Sequence, residues 1–395
     1  NNSTMNIRPL KLQDTPSGLD TPAELAAVRV DRAHTELRHG RAVVVVSADP
    51  AAPVLLAAAV ETLGARRLQM LSHAGAPPRL LLTAERLRAM GWTQAPGPCS
   101  MVLSAPLVVE RLQRLAAVLP GSVPTVEWTD FANARPASSA MQAALALSKR
   151  SRLVPALLVI ELPATALPAL AQAEVLQVSE SDVAALAHAA LEAEPTLRRV
   201  SDAHVPVAAS EDCTLVLFRE VHGEAEHVAI LVGQPDLSQP VPVRLHSACL
   251  TGDLLGSLRC DCGDQLRSSV ERLAGSGGGV LLYLAQEGRG TGLANKLRAY
   301  RLQDAGLDTI DADRYLGFNG DERDFTPAVA MLQELGITRI HLLTNNPHKI
   351  ESMRRGGLEV VERVAVPAPV NPHNARYVQT KHERAGHLVN GSGEG

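Results

Sequence analysis

Apolar and polar positions alternate along this chain in two different rhythms. From Thr21 to about Val200, segments with helical spacing are interleaved with short β-branched runs. AELAAVRVDRAHTELRHG has the helical period and closes at Gly40, and RAVVVVSA behind it reads as a buried strand. VLLAAAVETLG is predicted as a second helix, RLLLTAERLRAMG as a strand running into a helix, and SMVLSAP as a strand. The Pro- and Ser-rich SVPTVEWTDFANARPASS is predicted as a loop and LVPALLVIEL as a strand. ESDVAALAHAALEAEPTLRRVSDA, a helix leading into a connector, marks a domain boundary.

Beyond that boundary the rhythm changes. TLVLFREV and EHVAILVGQ alternate apolar with polar residues, as half-exposed antiparallel strands do. VPVRLHSACLTGD then reads as a strand ending in a turn marked by Gly252, DQLRSSVERLAGSGGG as a helix with a glycine stop, and VLLYLAQ as a buried strand. EGRGTG follows as a glycine turn before the helix LANKLRAYRLQDAG. Strand, glycine turn and helix can aim bare amides and a helix N-terminus at an anion, with Arg289 adding charge, although a plain connector has the same look. LLTNNPHKIESM is a strand entering a helix capped by Asn346 with Pro347 at its first position. A chain of 395 residues is too long for one ordinary core. The fold class expected is α/β (α+β): two domains, each a mixed sheet layered with helices. Residues 1–22 are expected to be a mobile tail, 23–195 the first domain, 196–390 the second, and 391–395 a tail.

Composition narrows the classes. Aromatics make up only 3% of the chain, so aliphatic packing must build the cores. A formal net charge of −4 argues against a nucleic-acid partner, and no apolar run approaches the roughly 18–20 residues a membrane span needs. The opening NNSTMNIRPLKLQDTPSG lacks the cationic start and apolar centre of a secretory signal, and clustered cysteines suit a reducing cytoplasm.

The chemistry is concentrated in CLTGDLLGSLRCDC, which puts three of the five cysteines within fourteen residues. Three thiolates suit zinc and leave a fourth tetrahedral position open, the pattern of a catalytic site. The alternatives are reduced core cysteines or a redox pair, although Cys260-Asp-Cys262 lacks the two-residue spacing of thioredoxin-like motifs. Cys213 is expected to pack, and Trp92, Trp128 and Cys99 either pack or mark a pocket. FNGDERDF gathers Asp321, Glu322, Arg323 and Asp324 in one polar loop.

Four segments in one order, HSACLTGDLLGSLRCDCGDQL, YLAQEGRGTGLANKLRAYRLQDAG, DTIDADRYLGFNGDERDF and LLTNNPHKIESM, resemble GTP cyclohydrolase II over about Leu197 to Val389. The resemblance implies a cytoplasmic enzyme of riboflavin synthesis, a homodimer by family precedent, converting GTP to 2,5-diamino-6-ribosylamino-4(3H)-pyrimidinone 5′-phosphate, formate and pyrophosphate. It implies one zinc ion per chain on Cys249, Cys260 and Cys262, and magnesium carried by the triphosphate. Tyr300 matches a tyrosine near the reacting guanine carbon, Asp321 the proton acceptor, and Arg323 a nucleophile. A protonated guanidinium is better suited to stabilising transition-state charge, which is the role expected here for Arg323. Arg244, Leu245, His246, Ser247, Gln265, Glu287, Gly288, Arg289, Thr309, Thr344 and Lys349 match nucleotide-binding positions. Two departures stand out: Ala248 where the family usually has glutamate, and Thr291 where isoleucine is common. The competing readings are a paralogue that opens another purine nucleotide or only releases pyrophosphate, and a non-catalytic GTP-binding regulator.

The first half is similar to the 3,4-dihydroxy-2-butanone-4-phosphate synthase domain through HTELRHGRAVVVVSA and LLLTAERLRAMGW. That family needs an acidic loop after its first strand. Here the loop is ADPAAPV with Asp49 alone, so this half is expected to be catalytically degenerate and to serve assembly or regulation, unless Glu85 or Glu127 folds in.

Overall fold

The structure is a computed structural model and describes residues 21–103, 107–120, 133–189, 197–221, 224–367 and 369–384. Trp128, Glu127 and most of both predicted tails lie outside these residues. By contacts, the described residues form two compact units: 21–189 with 291–322, and 197–290 with 323–384.

The first unit carries seven strands: β1 (Val43–Val46), β2 (Val54–Ala59), β3 (Arg79–Leu82), β4 (Cys99–Met101), β5 (Arg135–Pro136), β6 (Ala156–Leu162) and β7 (Leu176–Ser179). Their order is β5-β4-β3-β6-β2-β1-β7, with antiparallel pairing except for β1 beside β7. Period two sorts the side chains onto two covered faces. Val44, Leu56, Leu158 and Ile160 join the core under the helices Ala65–Ser72 and Val109–Leu115. Val43, Val45, Leu55, Leu157 and Val159 join the core under the helices Pro22–Arg38 and Ser139–Arg150.

Burial on both faces explains one departure from the sequence reading. VLLAAAVETLG begins with β2, all six residues of which are buried, and not with a helix. An unbroken apolar run has no period that separates a core strand from a core helix. The opening helix does end as expected, with Gly40 at φ +71° behind Arg38.

The second unit has β8 (Leu197–His204), β9 (Cys213–Glu220), β10 (Glu226–Gly233), β11 (Val241–Ser247), β12 (Gly278–Leu284), β13 (Arg339–Leu343) and β14 (Glu359–Val364). The order is β14-β13-β11-β12-β10-β9-β8. The β8, β9, β10 and β12 pairings are antiparallel, whereas β12, β11, β13 and β14 run parallel. TLRRVSDA, predicted as connector, supplies most of β8. The helix Cys262–Gly275 covers one face through Val270 and Leu273, and Thr326–Glu334 covers the other through Ala328, Met331 and Leu332. Cys213 is wholly buried among these apolar residues, and Cys99 is buried in the first unit, where burial pushes its thiol up; both pack. Two mixed sheets layered with helices is the architecture expected from the sequence.

Candidate active site

In open sheets with parallel strands, chemistry gathers beyond the strands' carboxyl ends. In the second unit, β11, β12 and β13 are parallel neighbours, and each leads directly into a stretch rich in polar or sulfur groups.

Beyond β11, the backbone winds through one wide turn over Leu250–Leu254 and brings Cys249 back against Cys260 and Cys262. The three sulfurs lie within 4.8 Å of one another, and Cys249 Sγ is 3.7 Å from Cys260 Sγ. Tetrahedral zinc with Zn–S bonds of about 2.3 Å requires sulfurs about 3.8 Å apart, so this spacing fits the ion. The donor set fits as well. The neighbouring Cys249 sulfur, together with burial, pushes the Cys260 thiol up, and a cation bound among the three sulfurs would favour the thiolates instead. Gly252 is required by the same crowding, because a Cβ there would meet Cys260 Sγ at 2.8 Å and Cys249 Sγ at 3.0 Å.

Asp253 holds this turn. Its carboxylate accepts the Cys249 backbone N–H at 2.9 Å, His246 Nε2 at 3.0 Å and the Tyr283 hydroxyl at 3.0 Å. Burial and the charge of Asp253 push the Tyr283 phenol up, so it stays a donor. Burial pushes His246 down although Asp253 opposes it, which makes the ring neutral with its proton on Nε2 toward the carboxylate. The His246 and Tyr283 rings stack at 5.6 Å on paired positions of β11 and β12.

Arg244 is fully buried on β11, donating to Leu343 O at 3.0 Å and to Gln265 Oε1 at 2.7 Å. Gln265 in turn donates to Asp261 at 2.6 Å. Burial pushes the Arg244 guanidinium down to about 10, with Asp261 and Cys262 opposing, so it remains a cation at neutral pH. Lys349, near the start of the helix Pro347–Arg355, is buried and donates to Leu245 O at 2.7 Å. Arg323 stands over the Phe325 ring at 5.3 Å. Thr344 accepts the Asn346 N–H, and Asn346 caps the helix as the sequence indicates.

Beyond β12, Gly288 and Arg289 both take left-handed angles, φ +63° and +57°. Glu287 accepts the Gly288 N–H at 2.9 Å and the Leu250 N–H at 2.6 Å, tying the glycine turn to the cysteine turn. Arg244 Nε, His246 Nδ1, Ser247 Oγ and Gln286 Oε1 are buried without a hydrogen-bond partner. Orphaned buried polar atoms are rare, and these four gather around β11 and the carboxyl end of β12.

The second unit holds the three clustered cysteines and also Arg244, Leu245, His246, Ser247, Gln265, Glu287, Gly288, Arg289, Arg323, Thr344 and Lys349. Tyr300, Thr309 and Asp321 fall in 291–322, within the first unit. Tyr300 is half-buried on the helix Leu293–Asp304 with Lys296 Nζ 5.9 Å from its ring centroid. Thr309 opens the helix Thr309–Tyr315, capped by Asp308, and Asp321 is exposed.

The profile described as GTP cyclohydrolase II matches residues 198–365. A GTP cyclohydrolase-2 of Azospirillum brasilense is 44% identical over 379 residues, covering 93% of this chain and 96% of its own length. The chain belongs to the GTP cyclohydrolase II family. GTP cyclohydrolase II activity, a hydrolase reaction on GTP in riboflavin biosynthesis, goes with that membership. A GTP cyclohydrolase-2 of Xylella fastidiosa (strain Temecula1 / ATCC 700964) is 41% identical, covering 92% of this chain and 87% of its own. One of Proteus mirabilis is 50% identical but covers only 49% of this chain with 96% of its own length, so about half of the present chain has no counterpart in it. A solved two-domain 3,4-dihydroxy-2-butanone 4-phosphate synthase from A. baumannii aligns over 85% of this chain at 17% identity and a TM-score of 0.31, too low to carry an argument.

The sequence reading missed Asp253, Tyr283 and Asp261. Asp253 has a local signal, a carboxylate four positions after Cys249, whereas Tyr283 reaches it from a strand thirty positions away. In the first unit, Glu85 pairs with Arg88 at 3.7 Å, and the carboxylate beside the ADPAAPV loop is instead Glu180, which accepts the Ala48 N–H at 2.9 Å. Among the described residues, no helix is long and apolar enough to cross a membrane.

Proposed function

We propose that Cys249, Cys260 and Cys262 hold one zinc ion and that the chain hydrolyses GTP to formate, pyrophosphate and 2,5-diamino-6-ribosylamino-4(3H)-pyrimidinone 5′-phosphate. The observation carrying this reading is the three-thiol cluster beside four orphaned polar atoms at the ends of parallel strands. Zinc supplies Lewis acidity there and a water made nucleophilic near neutral pH. Arg244, Arg289, Arg323 and Lys349 are the cations for the phosphates, with magnesium entering on the triphosphate. Glu287 suits the guanine amino and ring nitrogens, and Leu245, His246, Ser247, Gln265, Gly288, Thr309 and Thr344 complete nucleotide binding. Tyr300 donates a hydrogen bond or proton near the reacting carbon, Asp321 accepts a proton, and Arg323 stabilises charge as pyrophosphate leaves.

The protein is proposed to work in a reducing cytoplasm, which keeps its five cysteines from forming disulfides. A homodimer is the proposed assembly, in keeping with the exposed leucines Leu254, Leu255 and Leu258 on the loop between the zinc ligands.

The test incubates the protein with GTP, zinc and magnesium and measures formate, pyrophosphate and pyrimidine separately. All three are expected together. Pyrophosphate without formate would favour the half-reaction, and neither product would favour a GTP-binding regulator. Cys260→Ser is expected to abolish zinc binding and formate release together; full activity with retained zinc would overturn the site.

A further inference from the structure

We propose that the N-terminal half is the support that positions residues 291–322, with Thr83, Arg86 and Lys149 as positioning residues for the cyclohydrolase reaction. The inference rests on the reading above that Tyr300, Thr309 and Asp321, all within that segment, take part in the reaction.

The segment is tied to the N-terminal half at its beginning, middle and end. At the beginning, a Cβ on Gly292, whose φ is +90°, would stand 3.1 Å from the Arg152 side chain. Asn295 donates to Arg152 O at 3.0 Å, and Arg298 pairs with Glu61 at 2.8 Å. Glu61 is itself fixed, since its other oxygen accepts the Val154 N–H at 2.8 Å.

In the middle, Arg86 is only 1% exposed. Its guanidinium donates to the carbonyls of Leu115 at 2.7 Å, Arg114 at 3.4 Å and Tyr315 at 2.9 Å, and lies 4.4 Å from the Tyr315 ring centroid. Burying a guanidinium against carbonyls is costly unless every donor is placed, so the position of Tyr315 is tightly prescribed. Two residues on, the Thr83 hydroxyl donates to Gly317 O at 2.9 Å, and a Cβ on Gly317 would meet that same hydroxyl at 2.9 Å. Ala117 packs with Ala299, Ala312, Leu316 and Phe318 into a small separate core.

At the end, Lys149 pairs with Glu322 at 2.6 Å, and the same Glu322 oxygen accepts the Asn319 N–H at 2.8 Å. This clamp closes the polar loop one residue after Asp321 and one before Arg323. A buried guanidinium, a hydroxyl and two ion pairs of the N-terminal half are thus spent on one segment of thirty-two residues that carries three matched functional positions.

The experiment uses the full chain. Lys149→Glu is expected to lower kcat for formate release about tenfold or more, because a displacement of about 1 Å costs about 10²-fold. Zinc content should not change, since the ligands lie in the other unit. Lys149→Arg should keep wild-type kcat, whereas Lys149→Glu loses it with an unchanged unfolding midpoint, which a merely destabilised fold would not do. Arg86→Met and Thr83→Val should lower kcat in the same direction; where Arg86→Met does not fold, the Lys149 pair carries the test. Folded Lys149→Glu and Thr83→Val proteins with wild-type kcat and KM overturn the proposal, as does a Lys149→Arg protein no better than Lys149→Glu. Tyr300→Phe and Asp321→Asn are measured alongside. If both leave turnover intact, the underlying reading falls and the proposal with it; if both abolish turnover while the support variants do not, only the proposal falls.

Discussion

Removing the Asp253 carboxylate should loosen the proposed zinc site without touching any of the three cysteines. Asp253→Ala leaves three buried donors without their acceptor: the Cys249 N–H, His246 Nε2 and the Tyr283 hydroxyl, each now at 2.9–3.0 Å from the carboxylate. The carboxylate side chain is only 8% exposed, so water reaches the vacated space poorly. An unsatisfied buried donor costs about 1–3 kcal/mol, and partial relaxation of the turn brings the loss for three to about 3 kcal/mol. That energy holds the Cys249 turn, so the loss falls on ligand placement and corresponds to about 100-fold in zinc affinity. This is the upper end of the 10- to 100-fold effects of removing groups that orient metal ligands. Asp253→Asn keeps the shape. Its carbonyl accepts the Cys249 and Tyr283 donors, and its amide serves His246 once the ring proton moves to Nδ1, so about tenfold is expected. Competition against a chromophoric zinc chelator measures both. Wild-type affinity in Asp253→Ala, or equal losses in the two variants, would refute the hydrogen-bond reasoning.

Two further outcomes follow from the first unit. Asp182 accepts hydrogen bonds from Arg29 Nε at 2.8 Å and Nη2 at 2.7 Å, and this pairing, with bonds from Ser179 and against the cost of burial, holds its carboxyl below the usual range. A depressed folded value means that the stabilisation is complete above the unfolded carboxylate value of about 3.9 and disappears as pH falls through the folded one. Asp182→Asn should therefore cost about 1 kcal/mol in denaturant unfolding at pH 7, a modest figure because Arg29 is exposed, and progressively less as pH falls below about 3.9. A gap that stays constant with pH would rule this out. The N-terminal half should show no butanone-phosphate synthase turnover on ribulose 5-phosphate at any magnesium concentration. Asp49 spends its carboxylate on the Ala51 N–H of its own loop at 2.9 Å, and a rate near 1 per second would show that Glu180 or another carboxylate completes a site.

The cysteine cluster was legible because its information is local. Three cysteines within one short stretch, at the end of a strand with an alternating pattern, need no tertiary knowledge to be brought together. The strands β9 to β12 and the capped helix at Asn346 were legible for the same reason. The strand β2 was not, because both its faces are covered and its composition is uniform. The helix Ser139–Arg150 also went unread. Seven of its twelve residues are buried, which blurs the polar stripe that announces a surface helix.

What the pattern could not show is where residues 291–322 pack. Every feature of that segment reads locally as part of the second domain: it follows the glycine turn, precedes Arg323, and sits in the middle of the matched motifs. The forces that place it are long-range. Arg86 reaches Tyr315 across 229 positions, Thr83 reaches Gly317 across 234, and Arg298 reaches Glu61 across 237. None of Arg86, Thr83 or Glu61 is unusual in its own neighbourhood, where arginine and glutamate on short helices read as solvated face. Only the burial of Arg86 and the carbonyls around it distinguish it from a surface residue. The half of the chain with the weakest chemical signature therefore holds a segment with some of the strongest, and the two can be separated by residue number but not by packing.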